Sequence, residues 1–174
     1  MTDKEFLKRL ANGESDIVQL LLSVLEETGS AYCIIGGLAV NAYAEPVVSL
    51  DLDLVVSVDR VPELRLVAES KGMKTEDFEH SINLTAAGSD LRIQLQTDPR
   101  YQAFIARAGR KNLLGYEMSV ASLKDVLSGK IWAYSDAARR RSKRQKDLAD
   151  IMRLVENHPE LKAGLPADLL ALVE

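Results

Sequence analysis

The stretch IIGGLAVNAYAEPVVSLDLDLVVS, residues 34–57, decides how the chain reads. An apolar run meets two adjacent glycines, Gly36 and Gly37. Thirteen residues intervene before Asp51 and Asp53 stand one residue apart inside a second apolar run. In a strand over residues 47–58, alternate side chains take opposite faces. Leu50, Leu52, Leu54 and Val56 share one face; Ser49, Asp51, Asp53 and Val55 share the other. The two carboxylates then project side by side, about 6–7 Å apart at Cβ. At ~6 Å they repel by ~3 kcal/mol for an effective dielectric of ~20. Burial adds several kcal/mol of desolvation for each. A sheet that keeps both must supply positive charge, either Arg and Lys side chains or a divalent cation. Paired hard oxygen ligands suit Mg2+ or Mn2+, which also accept phosphate oxygens. The plainer reading is a half-exposed strand with a solvated polar face.

Working outward, residues 31–35 form a short strand. Gly36-Gly37 turns it into a helix through about Ala44, which Glu45-Pro46 breaks. Without Cβ atoms at the turn, backbone N–H groups can approach an anion closely. A tight turn alone would also use such a pair. A phosphate-friendly turn followed by a metal-ligand pair on the next strand is what a nucleoside triphosphate with its metal requires.

Upstream, Phe6, Leu7 and Leu10 mark a short amphipathic helix. Ser15 is placed to cap a second one with the stripe Ile17, Leu20, Leu21, Val24 and Leu25, stopped by Gly29. Downstream, residues 62–71 read as a helix ended by Gly72. Residues 80–85 and 90–97 read as paired strands, 99–108 as a helix opened by Pro99, and 113–120 as a last strand. From Ser122 onward the pattern is helical. Ser122 and Asp125 resemble a capping box, Val126, Leu127, Ile131 and Trp132 fit an inward face, and a second helix covers residues 142–156.

The chain has 174 residues, enough for one compact domain with a small appended subdomain. Its net charge of −4 gives no whole-molecule attraction to nucleic acid, so any such contact needs a local patch. Cys33 is the only cysteine, which excludes an intrachain disulfide, and it lies in an apolar run that suggests a buried thiol. His80 and His158 make no zinc spacing with it. The charged N-terminus is unlike a secretory signal, and no apolar run approaches the ~20 residues that span a bilayer. The expectation is a cytoplasmic protein without membrane contact.

The segment GGLAVNAYAEPVVSLDLDLVV resembles the signature of the nucleotidyltransferase superfamily, and most closely that of AbiEii-type and minimal nucleotidyltransferase-like proteins. KDLADIMRL, residues 146–154, resembles the lysine-and-aspartate helix those proteins carry near their C-termini. The resemblance implies an α/β (α+β) fold: a mixed sheet flanked by helices over residues 1–118, with a C-terminal helical subdomain over 119–174. It implies that Gly36 and Gly37 hold a triphosphate and that Asp51 and Asp53 are the catalytic, Mg2+- or Mn2+-binding pair. Ser49, Arg92, Lys130 and Lys146 would bind nucleotide. The reaction would transfer a nucleoside monophosphate from a nucleoside triphosphate to a macromolecular acceptor, RNA or protein. The biology it implies is a bacterial toxin–antitoxin pair, with a cognate toxin or antitoxin as partner.

Active members of that superfamily carry a third carboxylate on a later strand. In SDLRIQLQTDPRY, residues 89–101, Leu91, Ile93 and Leu95 form the apolar face and Asp90, Arg92, Gln94 and Gln96 the polar one. Gln94 stands where the acid is expected, and a neutral amide neither takes a proton nor offsets metal charge. Asp90 would need another register to reach the pair. Arg92 is placed to pair with Asp51 or Asp53, or to clamp phosphate. RRRSKRQK, residues 139–146, carries six cations in eight positions. One reading is a solvated helix with Lys143–Asp147 and Lys146–Asp150 at i,i+4. The other sends Arg144, Lys146 or Lys130 into the cleft and leaves the rest for a polyanionic acceptor. Gln94 keeps open a catalytically silent relative that binds nucleotide or a partner protein. The basic segment keeps open a nucleic-acid-binding module.

Overall fold

The computed structural model describes residues 1–10, 13 and 16–174. Ser15, the expected helix cap, lies outside the described residues, as does the side chain of Leu10. Seven strands form one mixed sheet in the order β3-β4-β5-β2-β1-β7-β6. They are β1 (Tyr32–Ile35), β2 (Asp51–Val56), β3 (Met73–Asp77), β4 (Ser81–Ala86), β5 (Arg92–Gln96), β6 (Gly109–Leu113) and β7 (Tyr116–Val120). The helices are α1 (Asp3–Leu10), α2 (Ile17–Glu27), α3 (Gly36–Val40), α4 (Val61–Ser70), α5 (Phe104–Arg107), α6 (Leu123–Ser135), α7 (Arg141–Asn157) and α8 (Ala167–Val173). This is the expected mixed sheet flanked by helices.

β1 and β2 are antiparallel at the sheet's centre, and β2 runs parallel to β5. Central position explains their composition. Cys33, Ile34, Leu54, Val55 and Val56 are fully buried because helices cover both faces. Val55, expected on the polar face with the aspartates, is therefore core. Asp16 caps α2 by accepting from the Gln19 N–H at 3.0 Å, and Gly29 ends it at φ +59°.

Four expectations about the elements are corrected. The helix after the glycines stops at Val40, not Ala44, because the chain tightens to i→i−3 bonds such as Tyr43 N–H to Val40 O, 2.9 Å. The strand expected from Val47 begins only at Asp51. Asn41 grips the main chain of Val47 instead, donating to its carbonyl at 2.8 Å and accepting from its N–H at 3.0 Å. The helix expected over 99–108 is a 3-10 turn (Pro99–Tyr101) followed by α5. The strand expected over 113–120 is half of a hairpin, β6 and β7, turning through Leu114 at φ 55° and Gly115 at φ 79°. β3 and α8 were not expected from the sequence.

Of the capping box only one half forms. The Asp125 N–H donates to Ser122 Oγ at 3.3 Å, while the Asp125 carboxylate is taken by Arg107 at 2.8 and 3.0 Å. Helices α6 and α7 pack on each other and on α3. This brings the basic segment over the C-terminal side of β1 and the start of β2. Among the described residues, no helix is long and apolar enough to cross a membrane.

Candidate active site

The sheet register assembles the acid pair. Asp53 lies opposite Ile35, the residue before Gly36, and beside Gln94; Asp51 lies beside Arg92. Both carboxylates point into a cavity of about 250 Å³ between the sheet and α7. Ser49 lines the same cavity. Its Oγ accepts from the Asp51 N–H at 3.1 Å and donates to the Asp51 carbonyl at 3.3 Å, so it sets the backbone that launches the pair.

The two aspartates differ. Arg92 Nε donates to Asp51 Oδ1 at 2.8 Å, through a single nitrogen of a largely exposed guanidinium. Asp53 has no hydrogen-bond or ion-pair partner among the described residues. Burial pushes its pKa up to about 6; Lys130 opposes this and Asp51 adds to it. Gly36 makes the close approach possible. Its φ is +71°, and a Cβ there would stand 2.5 Å from Asp53 Oδ2. Gly36 is thus required twice, by its backbone and by its neighbour. Gly37 faces the cavity, with only Asp150 near the position of its missing Cβ.

The cations divide into two groups. Lys130 is buried and bound to Asp150 Oδ2 at 2.7 Å and Asp147 Oδ1 at 3.1 Å. Burial pulls its pKa down, but Asp150 and Asp147 outweigh that and leave it raised. Arg139 Nε donates to Asp147 Oδ2 at 2.7 Å, and Arg153 Nη1 to Asp150 Oδ1 at 2.8 Å. Lys130 therefore lines the cavity as a member of a buried ion-pair network.

Lys143 and Lys146 form the second group. The expected i,i+4 pairs Lys143–Asp147 and Lys146–Asp150 do not form, because both carboxylates turn inward to Lys130. Among the described residues neither lysine has an ion-pair partner, and both line the cavity. Arg144, expected as a cleft residue, turns away: its Nε donates to Tyr134 O at 2.6 Å. Asp90 is exposed and off the cavity, while Gln94 and, on β4, its ladder partner Asn83 line it. No group of three metal-ligating side chains occurs among the described residues.

Lys143, Arg139, Asp147, Asp150 and Arg153 were not singled out as site residues by the sequence. A signal was present: 143, 146, 147 and 150 fall at i, i+3, i+4 and i+7, one stripe of a helix.

Neither a family model nor a curated protein sequence matches this chain. Solved structures do. The antibiotic-resistance factor ANT(2'')-Ia superposes with a TM-score of 0.60 at 13% identity, over 90% of this chain and 86% of that one. The lincosamide antibiotic adenylyltransferase LnuA gives 0.55 at 12% identity, over 82% and 99%. An antigenic nucleotidyltransferase-like protein from Paracoccidioides brasiliensis gives 0.55 at 20% identity, over 89% and 83%. The chain has the nucleotidyltransferase fold.

Proposed function

We propose that this chain is a nucleotidyltransferase that takes a nucleoside triphosphate with Mg2+ or Mn2+ and transfers the nucleoside monophosphate to an acceptor. One observation carries the reading. An acid pair with one member free of any direct partner among the described residues faces a cation-lined cavity, against a glycine where a Cβ would collide with that carboxylate. The donor set fits the metal: two hard carboxylates at i and i+2, leaving phosphate oxygens and water to complete the shell. Asp51 and Asp53 would hold it, and when bound it supplies charge neutralisation and alignment for an in-line displacement.

The chain's own residues do the rest. Lys143 and Lys146 bind the polyphosphate, and Arg92 directs its free guanidinium nitrogens at the same oxygens. Gly37 lets the main chain approach them. The cavity falls below the range of about 300–1,000 Å³ usual for an enclosed small-molecule site, so the polyphosphate sits inside and the nucleoside toward the mouth. An acceptor hydroxyl gives its proton to solvent as its oxygen attacks the α-phosphorus, and the bond to the bridging oxygen of the β-phosphate breaks, releasing pyrophosphate. The sheet supplies the acid pair and Arg92, and α7 supplies Lys143 and Lys146.

The acceptor we favour is macromolecular, RNA or protein, within a toxin–antitoxin pair; the resemblance of residues 36–56 and 146–154 supports this. A small acceptor, as the names of ANT(2'')-Ia and LnuA describe for those proteins, is the contrasting class. Gln94 beside Asp53 favours a second reading, a silent relative that binds nucleotide without transfer. Calorimetry with each nucleoside triphosphate, with and without Mg2+, tests the site. Metal-dependent binding that disappears in Asp51→Asn/Asp53→Asn supports it, and no binding overturns it. Incubation of α-labelled nucleotide with cell extract then separates the readings. Label in RNA or protein supports the macromolecular acceptor, label in small molecules the contrasting class, and none the silent relative.

A further inference from the structure

The geometry points to a site that takes one divalent cation, not two, with Arg92 as a built-in replacement for the second. The inference rests on the nucleotide-binding reading above. A second cation beside the Asp51/Asp53 pair would call for further anionic oxygen, which a third carboxylate on the neighbouring strand would supply. The ladder from β2 through β5 to β4 fixes what is there. Asp53 is flanked by Gln94, and Gln94 by Asn83, so the row next to the pair is two neutral amides. The other member's neighbour, Arg92, is a cation whose Nε already holds Asp51 Oδ1 at 2.8 Å.

That guanidinium occupies the β5 side of Asp51. Its terminal nitrogens have no partner among the described residues, and its side chain is 66% exposed. It can therefore turn them to an anion while Nε stays on Asp51. Unlike a metal, it is present before the nucleotide arrives and needs no ligand from position 94.

Charge balance agrees. Four carboxylates and six cationic side chains line the cavity, an excess of two positive charges. A nucleoside triphosphate with about four negative charges and one divalent cation brings about two negative, which closes the balance. A second divalent ion would leave the filled cavity with two unbalanced positive charges beside Lys143 and Lys146.

The test counts ions rather than turnover. Bound Mn2+ is measured by electron paramagnetic resonance on the whole chain with a non-hydrolysable α,β-methylene triphosphate, as ions per protein-bound nucleotide. Wild type is expected to hold one. Arg92→Ala/Gln94→Asp removes the guanidinium and supplies a carboxylate, and is expected to hold two. Both positions are exposed, so the variant retains the fold, which its thermal melt verifies. Two ions in wild type overturn the inference and leave the nucleotide-binding reading standing. One ion in both proteins overturns the assignment of positions 92 and 94 as what excludes the second. No nucleotide-dependent Mn2+ in wild type overturns both readings together.

Discussion

Asp53 is the residue at which stability and chemistry conflict. Its pKa stands at about 6 against 3.8 for an ordinary Asp, so the folded chain holds that proton more tightly than the unfolded one. The stabilisation this gives is fully present below about 3.8 and is lost as pH rises through about 6. Asp53→Asn keeps the shape without the charge. In metal-free protein it should raise stability by about 1–3 kcal/mol at pH 7.5, with the gain vanishing near pH 4. Urea titrations of both proteins at the two pH values check this, and an unchanged midpoint at pH 7.5 counts against it. The same substitution should abolish metal-dependent nucleotide binding. Gly36→Ala should do the opposite to the fold. It forces a side chain into φ +71° and against Asp53 Oδ2, so about 2–4 kcal/mol of stability should be lost. Thermal unfolding measures that loss, and a shift of less than a degree would contradict the contact.

At the level of elements, α6 and α7 are joined to the sheet by the network around Lys130. Removing that ammonium leaves the buried Asp147 and the half-buried Asp150 with only Arg139 and Arg153 as ion-pair partners among the described residues. Lys130→Met should therefore cost about 3–5 kcal/mol, far more than the ~0.5 kcal/mol expected for Lys143→Met or Lys146→Met. The two lysines should instead lower nucleotide affinity when replaced, which calorimetry on the folded variants reads directly.

What the sequence showed follows the same physics. β5 was legible because its apolar alternation is clean, and β2 because it alternates as far as Leu54, beyond which Val55 and Val56 are both buried. β3 and β6 were not, because each is an edge strand with one buried residue, Met73 or Leu113, and no periodicity to detect. Strand alternation put Asp51 and Asp53 on one face of β2 and Arg92 and Gln94 on one face of β5, while the resemblance singled out Gly36 and position 94. The fate of Lys130 could not, because it depends on two carboxylates 17 and 20 positions away turning inward. Spacing at i,i+4 suggested other partners for them.

On the scale of the whole molecule, the centre of the sheet is the least accessible part. Cys33 is fully buried, and burial pushes its thiol up to about 12. At pH 8 its reaction with a disulfide reagent should proceed only through global opening, so the labelling rate should follow urea-unfolding stability across the variants above. Rapid labelling in native conditions would contradict a buried central strand. The flanks are built differently. The outer strands β3 and β6 present Lys74, Glu76 and Asp77 at one end and Arg110 and Lys111 at the other. Charges at both rims make it costly for another chain to continue the hydrogen-bonded ladder. A protein whose middle strands bury Ile34, Leu52, Leu54, Ile93 and Leu95 is thereby kept from growing into ribbons, and its self-association should be suppressed even at concentrations where bare rims would nucleate fibrils.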